Sequence, residues 1–248
     1  MAETGKTYFA SDFHLGLPAG SPPVEREKKV VRWLNSIASE AKEIYLLGDI
    51  FDFWWEYKLV VPRGFTRFLG TASEITDSGI PIHFFTGNHD MWVGDYLSSE
   101  CGFTIHTEPF TTILNGKKFH LAHGEGLGTK DAVYKILLSI FRNKPLRVLY
   151  SALHPSIGIG IGQKWSLNSR LGKGIPKGFF GEEKEDLIRY ARTILENEHI
   201  DYFIFGHRHL AMTYKLAEGT EIVFLGDWIQ NGSYAVLNEK NLIFKTLT

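Results

Sequence analysis

Residues 44–52 read Ile44-Tyr45-Leu46-Leu47-Gly48-Asp49-Ile50-Phe51-Asp52. Four apolar residues run into a glycine and then a carboxylate. A short, continuously apolar run bounded by turn residues is the pattern of a buried strand. The same pattern recurs along the chain. Thr7-Tyr8-Phe9-Ala10 runs into Ser11-Asp12-Phe13-His14, and Ile82-His83-Phe84-Phe85 into Thr86-Gly87-Asn88-His89-Asp90. Phe119-His120-Leu121-Ala122 runs into His123-Gly124, and Tyr202-Phe203-Ile204-Phe205 into Gly206-His207-Arg208-His209. Residues able to bind metal therefore stand just past strand C-terminal ends, where open α/β sheets place their sites.

Between and after these strands lie helical patterns. Val24 to Lys42, Phe65 to Ser78 and Glu182 to Glu198 each carry apolar residues at helical spacing. Asn115-Gly116, between two strand-like runs, predicts a type I′ hairpin. Met212 to Leu247 reads as antiparallel strands with turns at Glu218-Gly219 and Asn238-Glu239. Strand–helix alternation followed by hairpins predicts an α/β (α+β) fold, with a mixed sheet pair flanked by helices.

The spacing exposes an insertion. The steps Asp12–Asp49, Asp49–Asn88 and Asn88–His123 are 37, 39 and 35 residues, but His123–His207 is 84. The surplus falls at about residues 130–180, read as a helical cap within a single unit spanning 1–248. From Lys130 to Gly178 there are nine Lys or Arg and one acid, Asp131, a local charge of +8 in a chain of net −1. Aliphatic residues are interleaved with these cations, which suits an anionic lipid surface better than a nucleic acid. Short helices are predicted over Asp131–Phe141 and Leu146–Leu153, divided by Asn143-Lys144-Pro145. Cys101 is the only cysteine, so no internal disulfide is possible. A signal-peptide pattern and a bilayer-spanning apolar run are both absent from the sequence. The single cysteine suits a reducing compartment, and the composition of the cap suits contact with a substrate or a membrane surface.

The ligand types point to a pair of divalent ions, the usual clamp for phosphate ester hydrolysis. Asp49 is the candidate bridge. Asp12, His14 and His209 would complete one site, and Asn88, His123 and His207 the other. Carboxylate, amide oxygen and imidazole together suit Mn, Fe or Zn better than Ca or Mg. Read as extended segments, Asp12 and His14 point to one side, as do His207 and His209, with Arg208 turned away. His89 would stand beside the phosphate, oriented by Asp52, to assist the leaving oxygen. Each motif alone has a plain reading: a chance Asp-x-His, a turn, a basic surface loop. Their occurrence in order after strands favours metal. His83, His106, His120, His154 and His199 lack such a motif and read as structural or surface residues. Phe51-Asp52-Phe53-Trp54-Trp55 reads mainly as core and loop packing.

In this order, the motifs resemble those of the calcineurin-like metallophosphoesterases. The resemblance implies a four-layer αββα sandwich and a binuclear centre, commonly with Mn²⁺, and assigns Asp52 as partner of His89. Within that superfamily the chain is similar to UDP-2,3-diacylglucosamine hydrolases. The segments Phe9–Leu15, Tyr45–Phe51, Ser78–Pro81 and His123–Asp131, with the insertion after them, carry this likeness. It implies cleavage of a UDP-linked lipid sugar into UMP and a diacylated glucosamine phosphate at the cytoplasmic face of the inner membrane. It implies acyl chains held by the cap. By position it assigns Asp131 and Ser169 to the glucosamine, Lys177 to phosphate, and Asn88, His89 and His207 to substrate contact. Better-known members have arginine where this chain has His89 and glutamate where it has Asp52. Two other readings accompany this one: a phosphoesterase for soluble nucleotides or phosphoproteins, and a metal-free binding scaffold on the same fold.

Overall fold

The computed structural model describes residues 5–128, 136, 138–141, 143–173, 178–239 and 241–247, without the side chains of 169–173. Strands β1 (Lys6–Ala10), β2 (Ala41–Leu47), β3 (Ile82–Phe85) and β4 (Thr104–His106) run parallel. With antiparallel β10 (Ser233–Leu237) and β11 (Leu242–Thr246) they form one sheet, ordered β11-β10-β1-β2-β3-β4. The second sheet is β5-β6-β7-β9-β8. Its members are β5 (Phe110–Leu114), β6 (Lys117–Ala122), β7 (Tyr202–Phe205), β8 (Ala211–Ala217) and β9 (Thr220–Leu225). Strands β6, β7 and β9 are parallel within it.

Period-2 alternation builds the four layers. Phe9, Tyr45, Leu47 and Phe85 from the first sheet meet Phe119, Leu121, Ile204, Val223 and Leu225 from the second. Their neighbours Tyr8, Ala10, Ile44, Leu46 and Phe84 face the opposite way. There they pack against α1 (Pro23–Ile37), α2 (Thr66–Asp77) and α3 (Tyr96–Cys101). On the outer face of the second sheet, Phe203, Phe205, Ile222 and Phe224 pack against Leu187, Ile188 and Ala191 of α6 (Asp186–Leu195). Helix on sheet, sheet on sheet, and helix again is the αββα arrangement, and it places the C-terminal ends of β1, β2, β3, β6, β7 and β9 around one rim.

The hairpin signal is realised: Asn115 and Gly116 have φ of 49° and 76°, as a type I′ turn requires. Helix α1 ends five residues before the sequence pattern does, because Ala41 and Lys42 already belong to β2. In the insertion, α4 (Lys144–Ser151) starts where Asn143 accepts a hydrogen bond from the Leu146 N–H, 3.1 Å. Helix α5 (Pro155–Lys173) was not foreseen. It carries Gly158, Gly160, Gly162 and Gly172, and a glycine in a helix interior costs about 1 kcal/mol. Packing overrides that preference. Among the described residues, no helix is long and apolar enough to cross a membrane.

Candidate active site

Backbone conformation is the first distinctive property of the rim. Among the described residues, seven non-glycine residues have positive φ: Asp12, His14, Asp49, Phe65, Asn115, His207 and His209. Five of these are sequence-nominated ligands. Left-handed backbone costs of the order of 1 kcal/mol at each, and persists only where the surroundings over-determine it. This corrects the extended-segment argument. Asp12 and His14 converge because both residues are left-handed, with φ of 54° and 45°.

Hydrogen bonds lock these turns together. The Asp12 N–H donates to Gly48 O and the His14 N–H to Asp49 O, both 3.0 Å. The His207 N–H donates to Asp12 Oδ2, 3.0 Å, and the His89 N–H to Asp49 Oδ1, 2.9 Å. Gly48 is required by close approach as well as by its φ of 80°: a Cβ there would lie 2.5 Å from the His123 ring. The result is three overlapping groups of facing ligand atoms: Asp12–His14–His209, His14–Asp49–His89, and Asp49–His123–His207. Asn88 joins the last, its Oδ1 standing 3.0 Å from His207 Nδ1. Arg208 turns away, as its place between two ligands requires, and forms a bidentate pair with Glu185 at 2.8 and 2.9 Å.

The donor set fits cations. Asp12 Oδ1 and His123 Nε2 are fully buried and have no hydrogen-bond partner among the described residues. Each faces other potential ligands. His209 Nε2 and His14 Nε2 lie 3.3 and 3.5 Å from Asp12 Oδ1, and His123 Nε2 lies 3.4 Å from Asp49 Oδ2. Two ligands about 2.1 Å from a tetrahedral ion stand about 3.4 Å apart. His123 Nδ1–H donates to Leu47 O, 2.7 Å, so Nε2 is the nitrogen left for an ion.

Electrostatics agree. Burial pushes Asp49 upward, but His123, His89 and His14 outweigh it and hold the carboxyl well below its ordinary value. Burial pulls His123 down, and Asp49 and Glu125 reverse this, lifting it well above the ordinary imidazole value. His207 falls to about 3 through burial and then repulsion by His123. The cluster thus keeps a carboxylate charged by holding a proton on an adjacent imidazole. A metal cation supplies the same compensation, and its binding displaces protons.

Three further positions at the site had been given no role by the sequence. Asp90 is fully buried and ties two loops together. Its Oδ1 accepts from the Gly87 N–H at 2.7 Å, and its Oδ2 from the Ile50 and Phe51 N–H groups at 2.8 and 3.2 Å. Asp227 follows β9, its Oδ2 3.3 Å from His209 Nδ1 and its Oδ1 accepting from the Ile229 and Gln230 N–H groups. Its signal was legible: Leu225-Gly226-Asp227 repeats Leu47-Gly48-Asp49. Ser166, on α5, reaches the His89–Asp52 pair and had no local signal.

That pair differs in detail from the expectation. The Asp52 carboxylate stands 3.9 Å from His89 Nδ1, beyond hydrogen-bond reach. His89 Nδ1–H instead donates to the Asp52 backbone carbonyl, 2.9 Å. Asp131 and Lys177 lie outside the described residues, as does the side chain of Ser169, whose backbone belongs to α5.

Beside the rim is an apolar cavity of about 300 Å³, lined by Phe53, Trp55, Trp92, Phe141, Tyr150 and Trp165 among others. The run Phe51–Trp55 divides its labour. Phe51 and Trp54 enter the core under the first sheet, whereas Phe53 and Trp55 face this cavity.

Fold and site together define a metallophosphoesterase. The family model for calcineurin-like phosphoesterases matches residues 5–211, and the chain belongs to that family. A UDP-2,3-diacylglucosamine hydrolase of Porphyromonas gingivalis is 43% identical, over 98% of this chain and 97% of that protein. Proteins of the same name from Shewanella pealeana and Shewanella piezotolerans are 27% and 25% identical, covering 92% and 96% of both partners.

Proposed function

We propose that this chain is a metal-dependent hydrolase that cleaves the pyrophosphate of UDP-2,3-diacylglucosamine, giving UMP and 2,3-diacylglucosamine 1-phosphate. The observation that carries the reading is adjacency. A buried cluster of carboxylates and imidazoles lies beside an apolar aromatic cavity, with Asp52 and Phe53 as the join. One half suits a pyrophosphate and the other an acyl chain. Each methylene buried there contributes about 0.8 kcal/mol.

Asp12, His14, Asp49 and His209 would hold one divalent ion, and Asp49, Asn88, His123 and His207 a second, with Mn²⁺ the first choice and Fe or Zn able to substitute. Such ions, when bound, neutralise phosphoryl oxygens and acidify water at neutral pH. Asp49 and Asp12 balance the ionic charge. Asn88 and His207 stand at the substrate edge. His89 has its Nδ1 proton committed to the Asp52 carbonyl, which leaves Nε2 to face the reacting phosphate. In its doubly protonated form it delivers the Nε2 proton to the departing oxygen. Residues 130–180 form a cap inserted into a single 1–248 unit, with Asp131, Ser169 and Lys177 as its contacts to the sugar and phosphate.

The outer face of the cap supports peripheral membrane contact on the cytoplasmic side. Val148, Leu149 and Ile157 are all more than half exposed, and Lys144 stands on the same helix as the first two. Basic residues near an anionic leaflet contribute about 1 kcal/mol each.

The decisive assay is UMP release from the diacylated UDP-glucosamine, with and without Mn²⁺, beside UDP-N-acetylglucosamine as a soluble control. Metal-dependent release from the acylated substrate alone is expected. Equal turnover of the soluble sugar nucleotide would replace this reading with a phosphoesterase for soluble substrates, and a protein that neither retains nor responds to metal would replace it with a scaffold.

A further inference from the structure

Helix α5 meets the catalytic loop through residues spaced by four. Gly158, Gly162 and Ser166 occupy one face of the helix. A Cβ at Gly158 would collide with the Tyr57 hydroxyl, and one at Gly162 with the Phe53 ring. The two glycines let the helix backbone settle directly on the 52–57 segment. One turn further on, Ser166 is 1% exposed, buried like the two glycines before it. Its hydroxyl donates to Asp52 Oδ2, 2.9 Å, and its oxygen stands 3.1 Å from His89 Nδ1.

The imidazole is therefore gripped from two sides. Its Nδ1 proton is shared between the Asp52 carbonyl and the Ser166 oxygen. Its Nε2 edge is turned to the ligand cluster, 4.0 Å from Asp49 Oδ2. Ser166 also fills the gap that separates the Asp52 carboxylate from the ring. We propose that Ser166 is a positioning residue: through it the cap sets the ring of His89, so that the hydrolytic centre is complete only when α5 is seated. Deleting the hydroxyl takes one donor from a buried carboxylate and one acceptor from the ring, and ring orientation is lost before metal or substrate binding is. The proposal rests on the hydrolase reading above but not on its lipid half.

The test is a double-mutant cycle with Ser166→Ala, His89→Ala and the double variant in the full-length protein. UMP release, metal content and thermal midpoint are measured for each. Ser166→Ala is expected to lower kcat about 10- to 100-fold with KM within about twofold. Metal content stays unchanged, and the substitution adds nothing in the His89→Ala background. A raised KM with unchanged kcat would mean that Ser166 touches substrate instead. An equal loss in both backgrounds would mean that it acts independently of His89. Either result overturns the proposal. Should the wild type release no UMP, the substrate reading fails, and the same cycle on bis(p-nitrophenyl) phosphate decides this one by the same outcomes.

Discussion

The ligand rim and the cap cavity are neighbours built on opposite principles. The rim gathers polar side chains from six strand ends, fixes five of its residues in left-handed backbone, and buries almost everything. Its strain is carried by two packed sheets and by backbone hydrogen bonds between loops distant in sequence. The cavity uses aromatic rings on ordinary loop and helix backbone, and leaves Ile140, Leu146, Ile161 and Trp165 partly open. The contrast teaches that rigidity here belongs to the chemistry and adaptability to the choice of substrate. A misplaced ligand costs the reaction, whereas an apolar wall tolerates repacking.

That division can be broken from the rim first. His123→Ala removes a buried imidazole proposed as a ligand and is expected to lower kcat/KM by more than about 1,000-fold in metal-replete buffer, read by initial rates beside metal content. Asp227→Asn spares every ligand but weakens the orientation of His209, and should lower metal affinity about 10- to 100-fold, read by titration with Mn²⁺. From the cavity side, Trp92→Ala opens the wall formed with Phe53, Trp55 and Phe141. It should raise KM for the acylated substrate about tenfold while leaving kcat and metal content nearly unchanged. A fall in kcat of the size expected for His123→Ala would erase the distinction between the two regions.

The smallest effect concerns the scaffold beneath both. Burial lowers His120 to about 4, and burial with His83 lowers His106 to about 4. Both are neutral in the folded chain and take up protons on unfolding below their ordinary value near 6.5. Stability conferred by their neutral forms is therefore complete above about pH 6.5 and declines as pH falls toward 4. His120, between Thr111 and Tyr190, contributes a slope of at most about 1.4 kcal/mol per pH unit. Urea unfolding of His120→Gln across this window should show a shallower dependence than the wild type.

The comparison also marks where sequence reading succeeds. Apolar runs ending in Gly-Asp, Gly-Asn-His and Gly-His-Arg-His announced the strands and the class of chemistry, because each signal is local: strand burial is a property of consecutive residues, and the capacity to ligate metal a property of residue type. Asp227 carried the same Leu-Gly-Asp pattern within a stretch read only as hairpins. Helix α5 carries glycines that are unfavourable for a helix in isolation and necessary for this helix against Phe53 and Tyr57.

Amino-acid order alone therefore determined the layered architecture, the class of chemistry and the residues nominated for it. Tertiary structure decided how those residues meet. It put left-handed turns where extended segments were expected, gave Asp90 and Asp227 their buried partners, and brought Ser166 across 77 positions to His89. The physical reason is that strand and ligand propensities are written in neighbouring residues, whereas the orientation of a buried polar group depends on which distant donor or acceptor packing leaves within about 3 Å of it.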